Sequence, residues 1–276
     1  MSKDMLIRIV VGLGLILLLL VILYFGGIVQ NILYSIVAMI LVYEMKTLLE
    51  AKGLRPFVVP AYIFALLSYT VRAYLGMYVM LLFASLCVFA TILFRIASPE
   101  RKTTDMFAGL ALFFYPLSFY IFFVLGSTLN DFNQSRVSML LTFAAPCCAD
   151  IFAYFIGVFF GKHKLCPHIS PKKTIEGGIG ALVGGCIGGV IVYFLQGIWG
   201  VSLSLWALVS VGFICGAVGQ IGDLFASSIK RWAEVKDFGT ILPGHGGMMD
   251  RLDSTLMCAP VVCMFFYILV ERGIVR

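Results

Sequence analysis

The chain has 276 residues, of which 61% are hydrophobic and only 12% are charged, and its formal net charge is +6. A soluble domain of this length is about half apolar and about one quarter charged, so a single water-soluble core is excluded. The mean hydropathy of +1.04 instead predicts helices that lie in a lipid bilayer. Seven of the eight cysteines lie in apolar runs and are predicted to be small buried residues.

Apolar stretches of spanning length follow one another from the N-terminus onward. Because backbone polar groups must be paired within lipid, each stretch is predicted to be helical. The first follows a basic start and is longer than a signal h-region, so it is expected to remain uncleaved. A window of about 19 residues predicts nine transmembrane helices, at 6–25, 28–48, 57–74, 76–96, 106–126, 137–160, 177–197, 203–229 and 254–272. The predicted fold class is an all-α polytopic integral membrane protein.

The distribution of Lys and Arg predicts the orientation of these helices, since cytoplasmic loops are enriched in both. With a cytoplasmic N-terminus, sixteen of the twenty basic residues fall on the cytoplasmic side. Only Arg72, Arg136, Arg272 and Arg276 fall on the far side. An odd number of spans is then required, so the C-terminus is expected on the far side.

Polar residues concentrate in the C-terminal half, which predicts two domains. Residues 1–136 are expected to form N-terminal transmembrane spans. Residues 137–276 are expected to form a catalytic membrane domain with cytoplasmic loops 161–176 and 230–252. In this half, glycines at four-residue spacing in the seventh span predict close helix packing.

Two acidic residues, Asp150 and Asp223, lie inside otherwise apolar spans. A carboxylate inside a span is costly, so it normally faces a cavity and has a partner. Ser227 and Lys230 follow Asp223 at i+4 and i+7 and share its helix face, and Tyr154 shares a face with Asp150. Both helices are therefore predicted to carry site residues.

The stretch "KDFGTILPGHGGMMDRLDS" contains Asp237 and, near its end, a pair of acids, Asp250 and Asp253, spaced i, i+3. If a helix begins near Met248, both carboxylates point to one side, and its N-terminus favours an anion. Mg²⁺ is commonly held by few carboxylates plus substrate phosphates. The pattern predicts a Mg²⁺–polyphosphate site whose acids are Asp223, Asp250 and in one alternative Asp253. Basic side chains nearby would neutralise the remaining charge; they are Lys230, Arg231, Lys236 and Arg251.

The segment "SSIKRWAEVKDFGTILPGHGGMMDRLD" resembles the signature of the phosphatidate cytidylyltransferases, also called CDP-diacylglycerol synthases. Its S-x-hydrophobic-K-R, K-D, H-G-G and D-R-x-D elements all fit that pattern. The upstream stretch that ends "EGGIGALVGG" resembles the second motif of the same family. The strong resemblance covers roughly residues 150–253.

The resemblance implies transfer of a cytidylyl group from CTP to phosphatidic acid, which gives CDP-diacylglycerol and pyrophosphate. It also implies a nine-span membrane fold whose site opens to the cytoplasm, in the inner (plasma) membrane. Mg²⁺ is the implied cofactor, with room beside it for a monovalent cation such as K⁺. CTP, phosphatidic acid and the bilayer are the expected partners, a homodimer is left open, and no nucleic acid is expected.

Roles are assigned to single residues on the same basis. Asp223 and Asp250 are expected to bind Mg²⁺. Ser227 is expected to orient substrate or a metal ligand, and His245 to contact a phosphate or donate a hydrogen bond. Asp237 and Asp253 could be ligands or could orient basic residues. The remaining expected substrate-binding or catalytic residues are Lys230, Arg231, Lys236, Arg251, Lys172, Lys173, Asp150 and Tyr154.

Two other functions remain as alternatives. Acids within a membrane also mark the pathways of ion-coupled transporters, although such proteins usually show paired halves with broken helices. A polyprenol kinase would use CTP differently, because it transfers the γ-phosphate to an alcohol and releases CDP. Product analysis distinguishes these functions.

Overall fold

The computed structural model describes residues 3–271 together with 273 and 274. Helix accounts for about 78% of it, with almost no sheet, which confirms the predicted all-α class. Arg272 and Arg276, two of the four basic residues expected on the far side, lie outside the described residues, as does the last residue of the predicted span 254–272.

The helices and strands follow in this order: α1 (Lys3–Tyr24), α2 (Ile28–Ala51), α3 (Val59–Leu75), α4 (Met77–Ala97), α5 (Thr103–Leu112), α6 (Ser118–Ser127), α7 (Phe132–Phe160), β1 (Lys164–Cys166), β2 (Ser170–Thr174), α8 (Ile175–Leu195), α9 (Leu205–Trp232) and α10 (Met249–Glu271). A π-helical turn, Phe113–Leu117, joins α5 to α6, and a 3-10 turn, Gln196–Trp199, follows α8.

Helices lie over each of the nine predicted segments, and seven in the described part of the chain are long and apolar enough to cross a membrane. This criterion concerns length and composition alone. The seven are Ile28–Ala51, Met77–Ala97, Thr103–Ser127, Phe132–Phe160, Ile175–Trp199, Leu205–Trp232 and Met249–Leu269. Two further apolar helices, Val10–Tyr24 and Val59–Leu75, are shorter.

Three local features differ from the sequence prediction. The segment 106–126 is not one regular helix, because Pro116 has no amide N–H to donate and the backbone leaves helical geometry at Tyr115. The loop 161–176 contains an antiparallel hairpin in which β1 pairs with β2. The loop 230–252 is shorter than predicted, because α9 continues to Trp232 and α10 begins at Met249.

The chain forms two compact units, and α10 begins in one and continues in the other. The first unit comprises Met1–Leu125 and Ala233–Arg251, and the second comprises Gly126–Trp232 and Leu252–Arg276. In the first unit, Tyr34 of α2 is buried between Tyr69 and Phe123, with ring centroids 5.4 Å and 5.6 Å away. Aromatic pairs at this spacing stabilise a core beyond their buried area.

The second unit is built around the glycine-rich α8. Gly184 and Gly188 lie against the backbone of α7, and a methyl group at Gly188 would lie 2.6 Å from the Cα of Ala145. Gly185 and Gly189 lie as closely against α9 on another side of the helix. The predicted close packing through glycine is confirmed, and it holds α7 and α9 against two neighbouring faces of α8.

Candidate active site

A cavity of ≈ 380 Å³ lies in the second unit, among α7, the β-hairpin, α8 and α9. Five residues predicted from the sequence line it, and they are contributed by three different elements. They are Asp150 and Tyr154 of α7, Lys172 and Lys173 of β2, and Asp223 of α9. The structure therefore brings together acids and bases that are up to 73 residues apart in sequence, as the difference between positions 150 and 223 shows.

An ion pair joins two of these residues across the cavity. The Lys173 Nζ atom lies 2.6 Å from Asp223 Oδ2, and the two side chains are 24% and 32% exposed. The hydroxyl of Ser227 donates to the other oxygen, Asp223 Oδ1, at 3.3 Å. Asp223 is thus held by two side chains, one cationic and one neutral, and the i, i+4 relation predicted for Ser227 is realised as a hydrogen bond.

The position of Lys173 depends on how β2 ends. The next residue, Thr174, caps α8, since its hydroxyl accepts a hydrogen bond from the amide of Gly177 at 3.1 Å. Thr174 also packs on α7, where a methyl group at Gly157 would lie 3.2 Å from its hydroxyl oxygen. The absence of a side chain at Gly157 lets the end of the hairpin approach α7, which places Lys172 and Lys173 at the cavity.

The same open end of the hairpin, where Lys164 pairs with Thr174, is also held by Glu176 in the first turn of α8. Its carboxylate accepts the backbone amide of His163 at 3.3 Å and contacts the Nδ1 atom of the same residue at 2.7 Å. Arg231, a predicted substrate-binding residue, donates from Nε to the carbonyl of Ile169 in the hairpin turn at 3.3 Å. These contacts connect the hairpin to the helices that carry the acids.

Asp253 of α10 is 8% exposed and lies beside α9. A methyl group at Gly222 would lie 2.6 Å from the carbonyl oxygen of Asp253, so the two helices touch at their backbones. The Oδ1 atom of Asp253 accepts the amide of Ser254 at 2.7 Å. Asp223, Asp150 and Lys230 are all within electrostatic range of this carboxylate. The second unit thus groups three predicted acids with Lys173 and Lys230.

In the first unit, the chain between α9 and α10 forms a compact turn. Leu242 pairs with Gly246, and the amide of His245 donates to the carbonyl of Leu242 at 2.9 Å. Gly246 has a φ of +79°, a left-handed conformation that favours glycine. The Oδ2 atom of Asp250 accepts the amides of Phe238 at 2.8 Å and Gly247 at 3.0 Å. A predicted metal ligand therefore organises the backbone of this turn.

The turn also surrounds the side chain of Glu44, an acid of α2 that the sequence prediction missed. Its side chain, 1% exposed, reaches from α2 and accepts the amides of Met248 and Met249, both at 2.8 Å. The available signal was an acid within the predicted span 28–48, which is unusual in itself. Because Lys46 follows two residues later, Glu44 was indistinguishable in sequence from an ordinary charged residue at the end of a helix.

The other predicted residues of the first unit differ in their surroundings. The side chains of Lys236, Asp237 and Arg251 are exposed. The Nδ1 atom of His245 is buried and has no hydrogen-bond partner in the described part of the chain. A buried imidazole nitrogen without a partner is costly, so His245 retains hydrogen-bonding capacity for a ligand.

The donor set fits a hard divalent cation such as Mg²⁺. The described residues include no group of three or more His, Cys, Asp or Glu side chains arranged to hold a metal. Mg²⁺ needs only one or two carboxylates when substrate phosphates complete its coordination. Asp223 already holds a cationic group, the Lys173 ammonium, at 2.6 Å. Asp223 therefore has the oxygen chemistry and the electrostatic setting that such a metal requires.

Comparison with known sequences finds a match to one protein family along nearly the whole chain. A sequence model described as "Cytidylyltransferase family" matches residues 6–269, from α1 to α10. The chain belongs to the cytidylyltransferase family.

Similar curated proteins carry the name phosphatidate cytidylyltransferase. The protein of Staphylococcus haemolyticus is 44% identical over 124 residues, which cover 45% of this chain and 46% of the relative. That of Staphylococcus aureus is 43% identical over 125 residues, with the same coverage. The protein of Thermotoga maritima is 36% identical over 207 residues, 71% of this chain and 70% of the relative. The chain thus matches about half the length of the staphylococcal relatives and more of the Thermotoga protein.

Proposed function

We propose that this member of the cytidylyltransferase family transfers the cytidylyl group of CTP to phosphatidic acid. The products would be CDP-diacylglycerol and pyrophosphate. The observation that carries the proposal is the cavity in which Asp223 is paired with Lys173 and bonded to Ser227. The name of the similar curated proteins, phosphatidate cytidylyltransferase, supports the same reaction.

The proposed reaction is an in-line displacement at phosphorus. An anionic oxygen of the lipid phosphate forms a bond to the α-phosphorus of CTP. The bond from that phosphorus to the oxygen bridging to the β-phosphorus breaks, and pyrophosphate leaves with the electron pair. The attacking phosphate is already anionic, so the reaction needs little general-base help. Its main requirement is the neutralisation of two anions and of the leaving group.

The chain's own basic residues would meet that requirement. Lys172 and Lys173 line the cavity, and either can bind the triphosphate. Lys173 would move from Asp223 to phosphate when CTP binds, since its present partner is a side chain. Lys230, Arg231, Lys236 and Arg251 are proposed to contact the remaining phosphate oxygens, and His245 can donate a hydrogen bond to one. Asp150 and Tyr154 would contact substrate from α7.

Asp223 and Asp250 are the proposed Mg²⁺ ligands, with Asp253 as a further acidic candidate. When bound, Mg²⁺ would supply positive charge at the phosphates and help to orient them. Ser227 would keep Asp223 oriented. A monovalent cation such as K⁺ is proposed beside the magnesium, and its test is the dependence of turnover on added potassium.

We further propose that the chain crosses the inner membrane nine times, with the N-terminus and the active site on the cytoplasmic side. Residues 137–276 would form the catalytic domain and residues 1–136 the N-terminal spans, with a homodimer as the proposed assembly. Cysteines introduced one at a time by Lys162→Cys and Ser202→Cys, in a chain whose eight native cysteines are replaced by alanine, test the orientation. An impermeant thiol reagent added to intact cells should label position 202 and not position 162; the reverse pattern would overturn the proposed topology.

Transfer itself is tested with the purified protein in detergent, given phosphatidic acid, Mg²⁺ and CTP. The CTP is labelled separately at the base and at the γ-phosphate. Movement of base label into the lipid, with γ label released as pyrophosphate, is the expected result. Movement of γ label to a polyprenol supplied in parallel would establish a kinase instead. If neither label moves in folded protein supplied with metal, the proposal fails and ion transport becomes the function to test.

A further inference from the structure

Glu44 is a buried carboxylate, 1% exposed, and the proposed chemistry does not use it. It lies on α2, whereas its two hydrogen-bond donors, the amides of Met248 and Met249, lie 204 and 205 residues later. A buried charge of this kind is costly unless it is fully bonded. Each oxygen of Glu44 accepts one backbone amide at 2.8 Å, so the carboxylate is bonded in a bidentate manner.

The donors are the amides at the start of α10. The first amides of an α-helix have no partner within the helix and need an acceptor from elsewhere. In α10 a side chain from a distant helix supplies that acceptor. A negative group at this end of a helix is also favoured by the helix dipole.

Two glycines allow the turn to close around the Glu44 carboxylate. A methyl group at Gly247 would lie 2.7 Å from both carboxylate oxygens, and one at Gly239 would lie 2.8 Å from Oε1. Neither glycine has a left-handed φ, so the space occupied by Glu44 accounts for the small residue. Any side chain at position 247 would therefore compete directly with the carboxylate.

The same backbone segment holds Asp250. The amide of Gly247 donates to Asp250 Oδ2 at 3.0 Å, and the next two amides donate to Glu44. Three successive amides are thus divided between two carboxylates. A shift of Met248 and Met249 away from Glu44 would move Gly247 and the first turn of α10, and with them Asp250.

We propose that Glu44 is a positioning residue for the reaction: it holds the first turn of α10 and thereby sets the position of the Asp250 carboxylate. This inference rests on the proposed function, in which Asp250 binds Mg²⁺. Glu44 itself accepts hydrogen bonds from backbone amides and acts through the turn.

The first test measures the contact without any substrate or metal. Glutamine at position 44 keeps one accepting oxygen but presents an NH₂ group to the other amide, so one backbone donor loses its partner. Hydrogen–deuterium exchange of the peptide covering 238–251 should be faster in Glu44→Gln than in the unmodified chain. Glu50→Gln is the matched control, because Glu50 lies on the same helix, is exposed and pairs with Lys46 at 3.5 Å. Equal exchange in all three proteins would overturn the proposal.

The second test measures the consequence for turnover. Glu44→Gln should lower kcat by about tenfold or more and raise the Mg²⁺ concentration needed for half-maximal activity, with Glu44→Asp intermediate. A merely structural role would reduce the yield of folded protein and leave the Mg²⁺ dependence of the folded fraction unchanged. That second outcome would contradict the proposal.

A double-mutant cycle separates this contact from general damage to the turn. Gly247→Ala should lower turnover in the unmodified chain, because its methyl group meets the Glu44 carboxylate. In a Glu44→Ala background the same change should cost much less, since the opposing group is gone. Gly197→Ala is the control, because Gly197 has no left-handed φ and a Cβ added there would meet no atom within 4 Å. Full additivity of the Gly247 and Glu44 changes would overturn the proposal.

These outcomes are distinct from a failure of the proposed function. If the unmodified protein transfers no cytidylyl group, the exchange measurement still decides whether Glu44 holds the turn. If transfer occurs and Glu44→Gln matches Glu50→Gln in exchange, kcat and Mg²⁺ dependence, the function stands and the positioning role is wrong.

Discussion

The two units hold their buried or half-buried acids in different ways. In the second unit, Asp223 is paired with two side chains, the ammonium of Lys173 and the hydroxyl of Ser227. In the first unit, Glu44 and Asp250 accept hydrogen bonds from backbone amides. A side-chain partner can rotate to another rotamer and be replaced by a ligand. A backbone partner can leave only if the turn that carries it opens.

From this difference we expect the two regions to have different roles in the proposed reaction. In the cavity of the second unit, substrate can displace the side-chain partners of Asp223, so replacement of the ion pair by contacts to substrate is expected there. In the turn of the first unit, the backbone amides that bind Glu44 and Asp250 stay in place, so the turn is expected to fix the positions of these carboxylates. Substitutions in the cavity should therefore affect turnover with little loss of fold, whereas substitutions in the turn should affect both.

The largest effect is expected for Asp223→Asn. The amide keeps the shape of the side chain but loses the charge that attracts Lys173 and that would bind Mg²⁺. Turnover should fall by about 100-fold or more, while the thermal unfolding temperature in detergent changes little because the residue is about one third exposed. Glu100→Gln, at an exposed loop position, is the control and should keep full activity. Substantial residual turnover in Asp223→Asn would remove this residue from the metal site.

The next largest effect distinguishes two adjacent lysines. Lys173→Met should lower turnover more than Lys172→Met, because Lys173 is the lysine that forms the ion pair with Asp223. Both lysines line the cavity, so both changes should raise the KM for CTP. Steady-state kinetics with varied CTP measures the difference. Equal losses of kcat in the two variants would indicate that the lysines act only through their shared charge on the triphosphate, and not through the Asp223 pair.

Much of the second-unit site could be predicted from the sequence, because local spacing carries the information. Ser227 follows Asp223 by one helical turn, and the structure joins the two by a hydrogen bond. Tyr154 follows Asp150 by the same interval, and both line the cavity. The pair between Lys173 and Asp223 could not be predicted in this way, since it depends on a hairpin and three packed helices.

The turn of the first unit was less predictable, because it too depends on contacts between residues that are far apart in sequence. Glu44 bonds to residues more than 200 positions away, and no periodicity reports such a contact. Hydropathy located the helices well, because long apolar runs determine them. It ended α9 and began α10 several residues short, because Lys230, Arg231 and Asp250 are charged residues that lie within helices. The helix start near Met248, which the spacing of Asp250 and Asp253 indicated, agrees with the observed start at Met249. The hairpin was missed, since its polar strands have no apolar alternation.

A smaller effect is expected at Thr174, which connects β2 to α8. Thr174→Val removes the hydroxyl that accepts the Gly177 amide at 3.1 Å. Loss of such a cap costs about 1 kcal/mol, so the thermal unfolding temperature should fall slightly, and turnover should fall because Lys173 precedes it. Ser204→Ala is a matched cap removal, since Ser204 accepts the amide of Ala207 at the start of α9 at 3.1 Å. That variant should lose similar stability and keep turnover; a similar loss of turnover in both would show that the effect is not local to the hairpin.

The smallest effect concerns a surface ion pair at the beginning of the first-unit turn. The Lys52 Nζ atom lies 2.7 Å from Glu234 Oε1, and this hydrogen bond and charge lower the pKa of Glu234 below its ordinary value of 4.5. A lowered pKa means that the pair stabilises the folded state above the ordinary value and loses this effect as pH falls through the lowered one. Because the Glu234 side chain is 82% exposed, solvent and salt weaken the pair strongly. The unfolding temperature of Lys52→Met should therefore lie slightly below that of the unmodified chain at pH 7, and the two should converge in acid or at high salt. A difference that persists under both conditions would mean that Lys52 stabilises the turn by packing of its alkyl chain and not by charge.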